Sequence, residues 1–140
     1  MSFVRGLVQK ALRLEACTIE NTPIGAVTPS TGAFSGLSLS VTAVAAAGND
    51  NTNAAALGAG INIVSAADGT KGVILPAAVA GKVVIVKGTA AAILKVYPAS
   101  GDQINELTVT TGALSMASKT AAIFVAADAT TWYSIPLLPS

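Results

Sequence analysis

KVVIVKGTAAAILKVYPASGDQIN, residues 82–105, is the stretch from which the fold is read. KVVIVK (82–87) and ILKVYP (93–98) are β-branched runs bounded by Gly81, Gly88 and the ASGD turn at 99–102, the composition of short strands between turns. Across Gly88–Ala92 the two runs are predicted to pair as a β-hairpin. Side chains alternate along a strand, so Ile93 and Val96 fall on opposite faces, as do Leu94 and Tyr97. QINEL, from Gln103, begins another short strand.

The same texture extends outward in both directions. LSLSVTAVAA (37–46) alternates Leu37, Leu39, Val41 and Ala43 with Ser38, Ser40, Thr42 and Val44, the period of a half-buried strand. GNDNTNAAALGAG (48–60) reads as a long turn, INIVSA (61–66) as a strand, and Asp68-Gly69 as a turn signal. VIL (73–75) stops at Pro76, which cannot donate to a ladder and suits a strand end. Downstream, LTVTT (107–111), ALSMA (113–117), TAAIFVAA (120–127) and TWYSIP (131–136) add strands, with turns at Gly112 and Asp128-Ala129. Short strands with turn signals about every 8–12 residues predict an all-β fold, a jelly-roll-like antiparallel β-sandwich. No strand is followed by a helix-length amphipathic run, which argues against parallel α/β architecture. No register-perfect internal repeat is visible.

Two segments precede this domain. In MSFVRGLVQKALRLEA, Val4, Leu7, Val8, Ala11 and Leu12 recur at helical spacing, with Gly6 inside the run; the pattern fits a short amphipathic helix or an extended arm that orders on a partner. Arg5, Lys10 and Arg13 interrupt the apolar residues too often for a signal peptide. NTPIGAVTPSTGAFSG (21–36) has prolines at 23 and 29 and glycines at 25, 32 and 36, as in a loop laid over a surface. The expected organisation is an arm over 1–21 and a β-domain over 22–140.

Composition narrows the chemistry. Charged residues make up 11% of the chain and apolar residues 52%, against about 25% charged in an ordinary soluble protein. A surface so poor in charge suits a protein covered by copies of itself or by a partner. The formal charge of +1 provides no field for a polyanion, so neither nucleic acid nor a membrane is an expected partner. No stretch is long and apolar enough to span a bilayer as a helix.

The chain has no histidine, which removes Ser-His-Asp and Cys-His arrangements and histidine metal sites. Cys17 stands alone and fits no cysteine metal pattern. Asp50, Asp68, Asp102, Glu106 and Asp128 lie in or beside turns, where aspartate caps local backbone, and Glu15 and Glu20 lie in the arm; an acid-base pair is not expected. GAGIN (58–62) and GTKG (69–72) lack the strand-to-helix context of a phosphate loop. Trp132 and Tyr133 are adjacent, so one is expected in the core and the other at an interface or in solvent. No catalytic residue, metal or cofactor is predicted.

From GVILPAAVAGKVVIVKGTAAAILKVYPASGDQIN through SKTAAIFVAADATTWYSIP, about residues 72–136, the sequence resembles small virion structural proteins of tailed bacteriophages. The marks are the strand ending in Pro76, Gly-Lys-Val-Val-Ile-Val, Leu-Lys-Val-Tyr-Pro, Gly-Asp-Gln-Ile-Asn and the final Thr-Trp-Tyr strand. With the N-terminal arm, the whole chain resembles a capsid cement, or decoration, protein. The resemblance implies a β-domain on the outside of an icosahedral head, bridging neighbouring major capsid protein subunits, made in the host cytoplasm and forming a homodimer or a homotrimer. It implies no catalytic residues. The elements expected to face the partner are the arm, through Phe3, Val4, Arg5, Leu7, Val8, Leu12 and Arg13, and the loop, through Ile24, Val27 and Phe34. A tail-fibre or receptor-binding β-module that recognises a host surface is the alternative.

Overall fold

The computed structural model describes residues 38–136, which lie in one compact unit, Leu37–Ser140. They form ten strands and, among the described residues, no helix: β1 (Val41–Ala45), β2 (Ala55–Ala56), β3 (Gly60–Ser65), β4 (Gly72–Ile74), β5 (Val83–Gly88), β6 (Leu94–Tyr97), β7 (Gln103–Ile104), β8 (Leu114–Met116), β9 (Ala121–Ala126) and β10 (Thr131–Ile135). The expected boundary between residues 21 and 22, the arm and the loop up to Phe34 lie outside the described residues.

The all-β expectation holds, but the pairing is not that of an antiparallel jelly roll. Strands β1 to β6 alternate between two sheets, ordered β1-β3-β5-β9-β10-β7 and β2-β4-β6-β8. Each turn of the chain adds one strand to each sheet, parallel to the one before: β1 to β3, β3 to β5, β2 to β4 and β4 to β6. The N-terminal part is thus a flattened parallel coil. Antiparallel strands then close it, with β8 on β6, β9 on β5 and β10 on β9, while β7 adds to β10 in parallel. Both sheets are mixed.

The predicted hairpin is the clearest correction. β5 belongs to the six-stranded sheet and β6 to the four-stranded one, so residues 89–93 form an arch from sheet to sheet instead of a turn back along one sheet. The cause is burial from two sides. Val84 and Val86 of β5 and Leu94 and Val96 of β6 are buried in the same apolar cluster, and a hairpin would have put all four on one sheet. Thr89 fastens the arch to the previous coil, its backbone N–H and its hydroxyl both donating to the Val64 carbonyl at 2.8 and 3.0 Å.

Three smaller differences follow. Ala55–Ala56, expected as turn, supplies β2. LTVTT is not a strand: Leu107, Thr110, Thr111 and Gly112 N–H groups donate to the carbonyls of Ile104, Asp102, Val109 and Thr108, a run of turns that meets the backbone's hydrogen-bonding demand without a ladder. In β1 the half-buried reading fails. Val41 and Ala43 are exposed and only Val44 is partly buried, because β1 ends its sheet and its more apolar side faces outward.

One core joins the sheets. Val64, Val84, Val86, Phe124 and Trp132 enter from the six-stranded sheet, and Val73, Leu94, Val96, Leu114 and Met116 from the four-stranded one; all ten are fully buried. Burial of each such side chain is worth roughly 1.5–3 kcal/mol. Most buried polar side chains are tied in: Asn62 accepts from Gly58 N–H and donates to the Gly58 and Ile85 carbonyls, Asp102 accepts from Ala78 N–H at 2.8 Å, and Asn105 accepts from Ser134 N–H at 3.0 Å; among the described residues the Trp132 Nε1–H is the exception, buried without a partner.

Candidate functional site

Three of the described aspartates are occupied with holding turns. Asp50, Asp68 and Asp128 share the local sequence Asp-x-Thr. In each turn the Oδ1 atom accepts from the threonine hydroxyl and from two successive backbone N–H groups, those of Thr52 and Asn53, of Thr70 and Lys71, and of Thr130 and Thr131. These bonds favour the ionised carboxylate. The Thr52 hydroxyl leads in holding Asp50 below its usual range, the Lys71 N–H leads at Asp68 and the Thr130 N–H at Asp128. Asp68 also meets the Lys71 ammonium at 3.2 Å in an exposed ion pair. The expectation that these aspartates serve turns is met residue by residue. Asp102 does more than its turn requires, since it bonds to Ala78, 24 residues away.

Among the described residues no three His, Cys, Asp or Glu side chains cluster as metal ligands, and no helix is long and apolar enough to cross a membrane. Tyr97 is buried, which raises its phenol pKa with the nearby Asp50 charge adding to the effect, and its hydroxyl donates to the Asn49 carbonyl at 2.6 Å.

The outer face of the six-stranded sheet is the feature without an internal explanation. Strand register aligns Val41, Ile61, Ile85, Ile123 and Ile135 across five adjacent strands, β1, β3, β5, β9 and β10. All five side chains sit on the side away from the core: Val41 is 66% exposed, Ile135 55% and Ile123 38%, with Ile61 and Ile85 half-buried. One flanking row brings together Val83, Val125 and Tyr133, the other Ala43, Ile63, Lys87 and Ala121. Four spacings between neighbouring strands make the aliphatic row about 19 Å wide. Lys87 is the one charged residue in these rows, and its ammonium donates to the Lys119 carbonyl, which draws the charge to the rim.

The residues expected to bind a partner, Phe3 through Arg13 in the arm and Ile24, Val27 and Phe34 in the loop, lie outside the described residues. Trp132 and Tyr133 divide as expected, Trp132 fully buried and Tyr133 47% exposed. The aliphatic row itself was not singled out from the sequence. Its signal is VVIV at 83–86, apolar at four consecutive positions and so on both faces of a strand, as in sheets covered on both sides.

No protein family, no curated protein and no solved structure matches this chain.

Proposed function

We propose that this chain is a virion structural protein that binds the outside of an icosahedral phage head and cements neighbouring major capsid protein subunits. The observation that carries the reading is the aliphatic outer face of the six-stranded sheet. A contiguous apolar surface of this kind marks a protein that works assembled with other chains. The sequence resemblance over residues 72–136 supplies the setting, and a β-domain whose Asp50, Asp68 and Asp128 carboxylates hold turns agrees with a role performed by contact area. Cementing needs only modest affinity per copy, because a shell repeats each contact many times. In this reading the head is gripped by the N-terminal residues, among them Phe3, Leu7, Leu12 and Phe34.

Co-sedimentation with assembled phage-type heads tests it. The full chain is expected to saturate heads and to ignore isolated capsid subunits, and Leu7→Asp/Leu12→Asp to lose head binding by tenfold or more. A protein that leaves heads bare yet binds bacterial cells or glycans is a receptor-binding module instead.

A further inference from the structure

We propose that the outer face of the six-stranded sheet is the seat of a second copy of this chain, packed face to face about a two-fold axis that runs along the isoleucine row. The inference deepens the structural reading above and rests on it only in taking the chain to be an assembling protein. Three observations select a second copy as the occupant.

The first is area. Five side chains of the three rows, Val41, Val83, Ile123, Tyr133 and Ile135, are 38–66% exposed and Ala43 and Ala121 are exposed beside them. The patch is at the scale of the largest on a typical monomer, roughly 300–600 Å², and large enough to form the centre of a standard interface of ~800 Å² per partner.

The second is charge. A partner recognised by electrostatics would need charges to meet, and the three rows hold only Lys87, turned toward the Lys119 carbonyl. An equally uncharged surface is the complement, and this chain possesses one.

The third is shape. A two-fold axis across the strands, along Val41, Ile61, Ile85, Ile123 and Ile135, stacks that row on its own copy and exchanges the two flanking rows. On β9 this sets Val125 against Ala121 of the second copy, a larger side chain against a smaller one. On β5 it sets Val83 against the aliphatic stem of Lys87 and sends the two ammonium groups to opposite ends. Isologous contacts require this reciprocity, and sheets stacked about 10 Å apart in near alignment interdigitate in the same way.

Mass in solution tests the proposal on the full chain. Sedimentation and light scattering at about 100 μM are expected to give twice the 13.8 kDa chain mass. Ile123→Glu would place two unpaired carboxylates at the axis, so self-association is expected to weaken by about a hundredfold or more. Should that variant fail to fold, cross-linking decides. Ile123→Cys in a Cys17→Ser background is expected to give covalent dimers with a short bis-maleimide, and Glu106→Cys in the same background is not. A monomeric wild type overturns the inference, as does a dimer that withstands Ile123→Glu or a cross-link that favours position 106. A dimer that ignores heads sinks the cement reading and leaves this one standing. A monomer that binds heads and loses them with Ile123→Glu overturns this one and gives the face to the capsid.

Discussion

The two sheets present opposite outer surfaces. On the four-stranded sheet, register aligns Gly72, Lys95 and Ser115, and the Lys95 ammonium donates to the Ser115 hydroxyl at 2.8 Å; next to them Tyr97 lies over the strand with its hydroxyl on Asn49. That row is small and polar. On the six-stranded sheet the corresponding row is Val41, Ile61, Ile85, Ile123 and Ile135. Both sheets have the same interior, so the contrast is not about folding the core. A sheet with one face on a core and one in water alternates apolar with polar residues, whereas a sheet covered twice does not. The Lys95 row of the four-stranded sheet follows the first rule and its neighbouring row, Ala56, Ile74 and Tyr97, is apolar with Tyr97 buried against the chain itself, whereas the six-stranded sheet follows the second rule and leaves its aliphatic rows open.

Adjacent residues of β9 give the widest contrast. Phe124 is fully buried and Ile123 projects from the outer face. Phe124→Ala should cost about 3–5 kcal/mol, the usual range for emptying a core aromatic site. Ile123→Ala, measured by denaturant unfolding at low protein concentration, should cost about 1 kcal/mol or less, in the range of surface substitutions. Equal losses would mean that Ile123 belongs to the core of a single chain and would remove the basis for treating the outer face as a separate surface.

A smaller effect is expected on the four-stranded sheet. A Cβ added at Gly72 would stand 2.6 Å from Cε2 of the Tyr97 ring and 2.7 Å from the Lys95 carbonyl oxygen. Glycine is therefore needed there for the close approach of a ring and a neighbouring strand, and the ring's packing makes this outer face self-sufficient. Gly72→Ala should destabilise by about 1–3 kcal/mol through overpacking, and Gly72→Ala/Tyr97→Leu, which removes the obstructing ring edge, should recover part of it. No recovery in the double variant would place the strain at the Lys95 backbone. Neither variant should change the solution mass, since neither touches the six-stranded sheet.

Much of this was legible in the sequence and some was not, for a reason tied to distance along the chain. Strand positions such as 61–65, 83–87, 94–97 and 121–126 follow from local alternation and bounding glycines. The aspartate turns follow from side-chain chemistry complete within four residues. Pairing partners are a different matter. Gly88–Ala92 is compatible with a hairpin or with an arch, and the choice depends on whether Leu94 and Val96 meet Val84 and Val86 from the same sheet or from the opposite one. The coil was hidden because its turns differ in length: 20 residues separate Val41 from its partner Ile61, and 24 separate Ile61 from Ile85. In LTVTT, β-branched composition suggested a strand, yet Thr110 sits at φ +68°, a left-handed conformation that a ladder does not use. The candidate interface was hardest to read, because Val41, Ile61, Ile85, Ile123 and Ile135 become one row only after five strands are set in register.

The smallest effect concerns where charge was left. Asp50 lies between β1 and β2, Asp68 between β3 and β4, and Asp128 between β9 and β10, so each of these ionised groups stands in a loop and none in the aliphatic rows. Each is held below its ordinary range by the hydrogen bonds of its own turn. A carboxylate with a lower pKa in the folded chain than the ~3.9 of a free aspartate contributes stability that is complete above that value and is lost as pH falls through the folded value. The melting temperature should therefore vary little on this account between pH 7 and about pH 5, then decline below about pH 4. In Asp50→Asn/Asp68→Asn/Asp128→Asn the amide oxygen can accept the same turn bonds without titrating, so the variant should melt close to the parent at neutral pH and show a shallower acid decline. Solution mass should follow neither change, because no titrating side chain of the three lies in the aliphatic rows. Acid that dissociated the dimer at a pH where the fold still melts normally would place one of these carboxylates at the interface and break the division between uncharged face and charged loops.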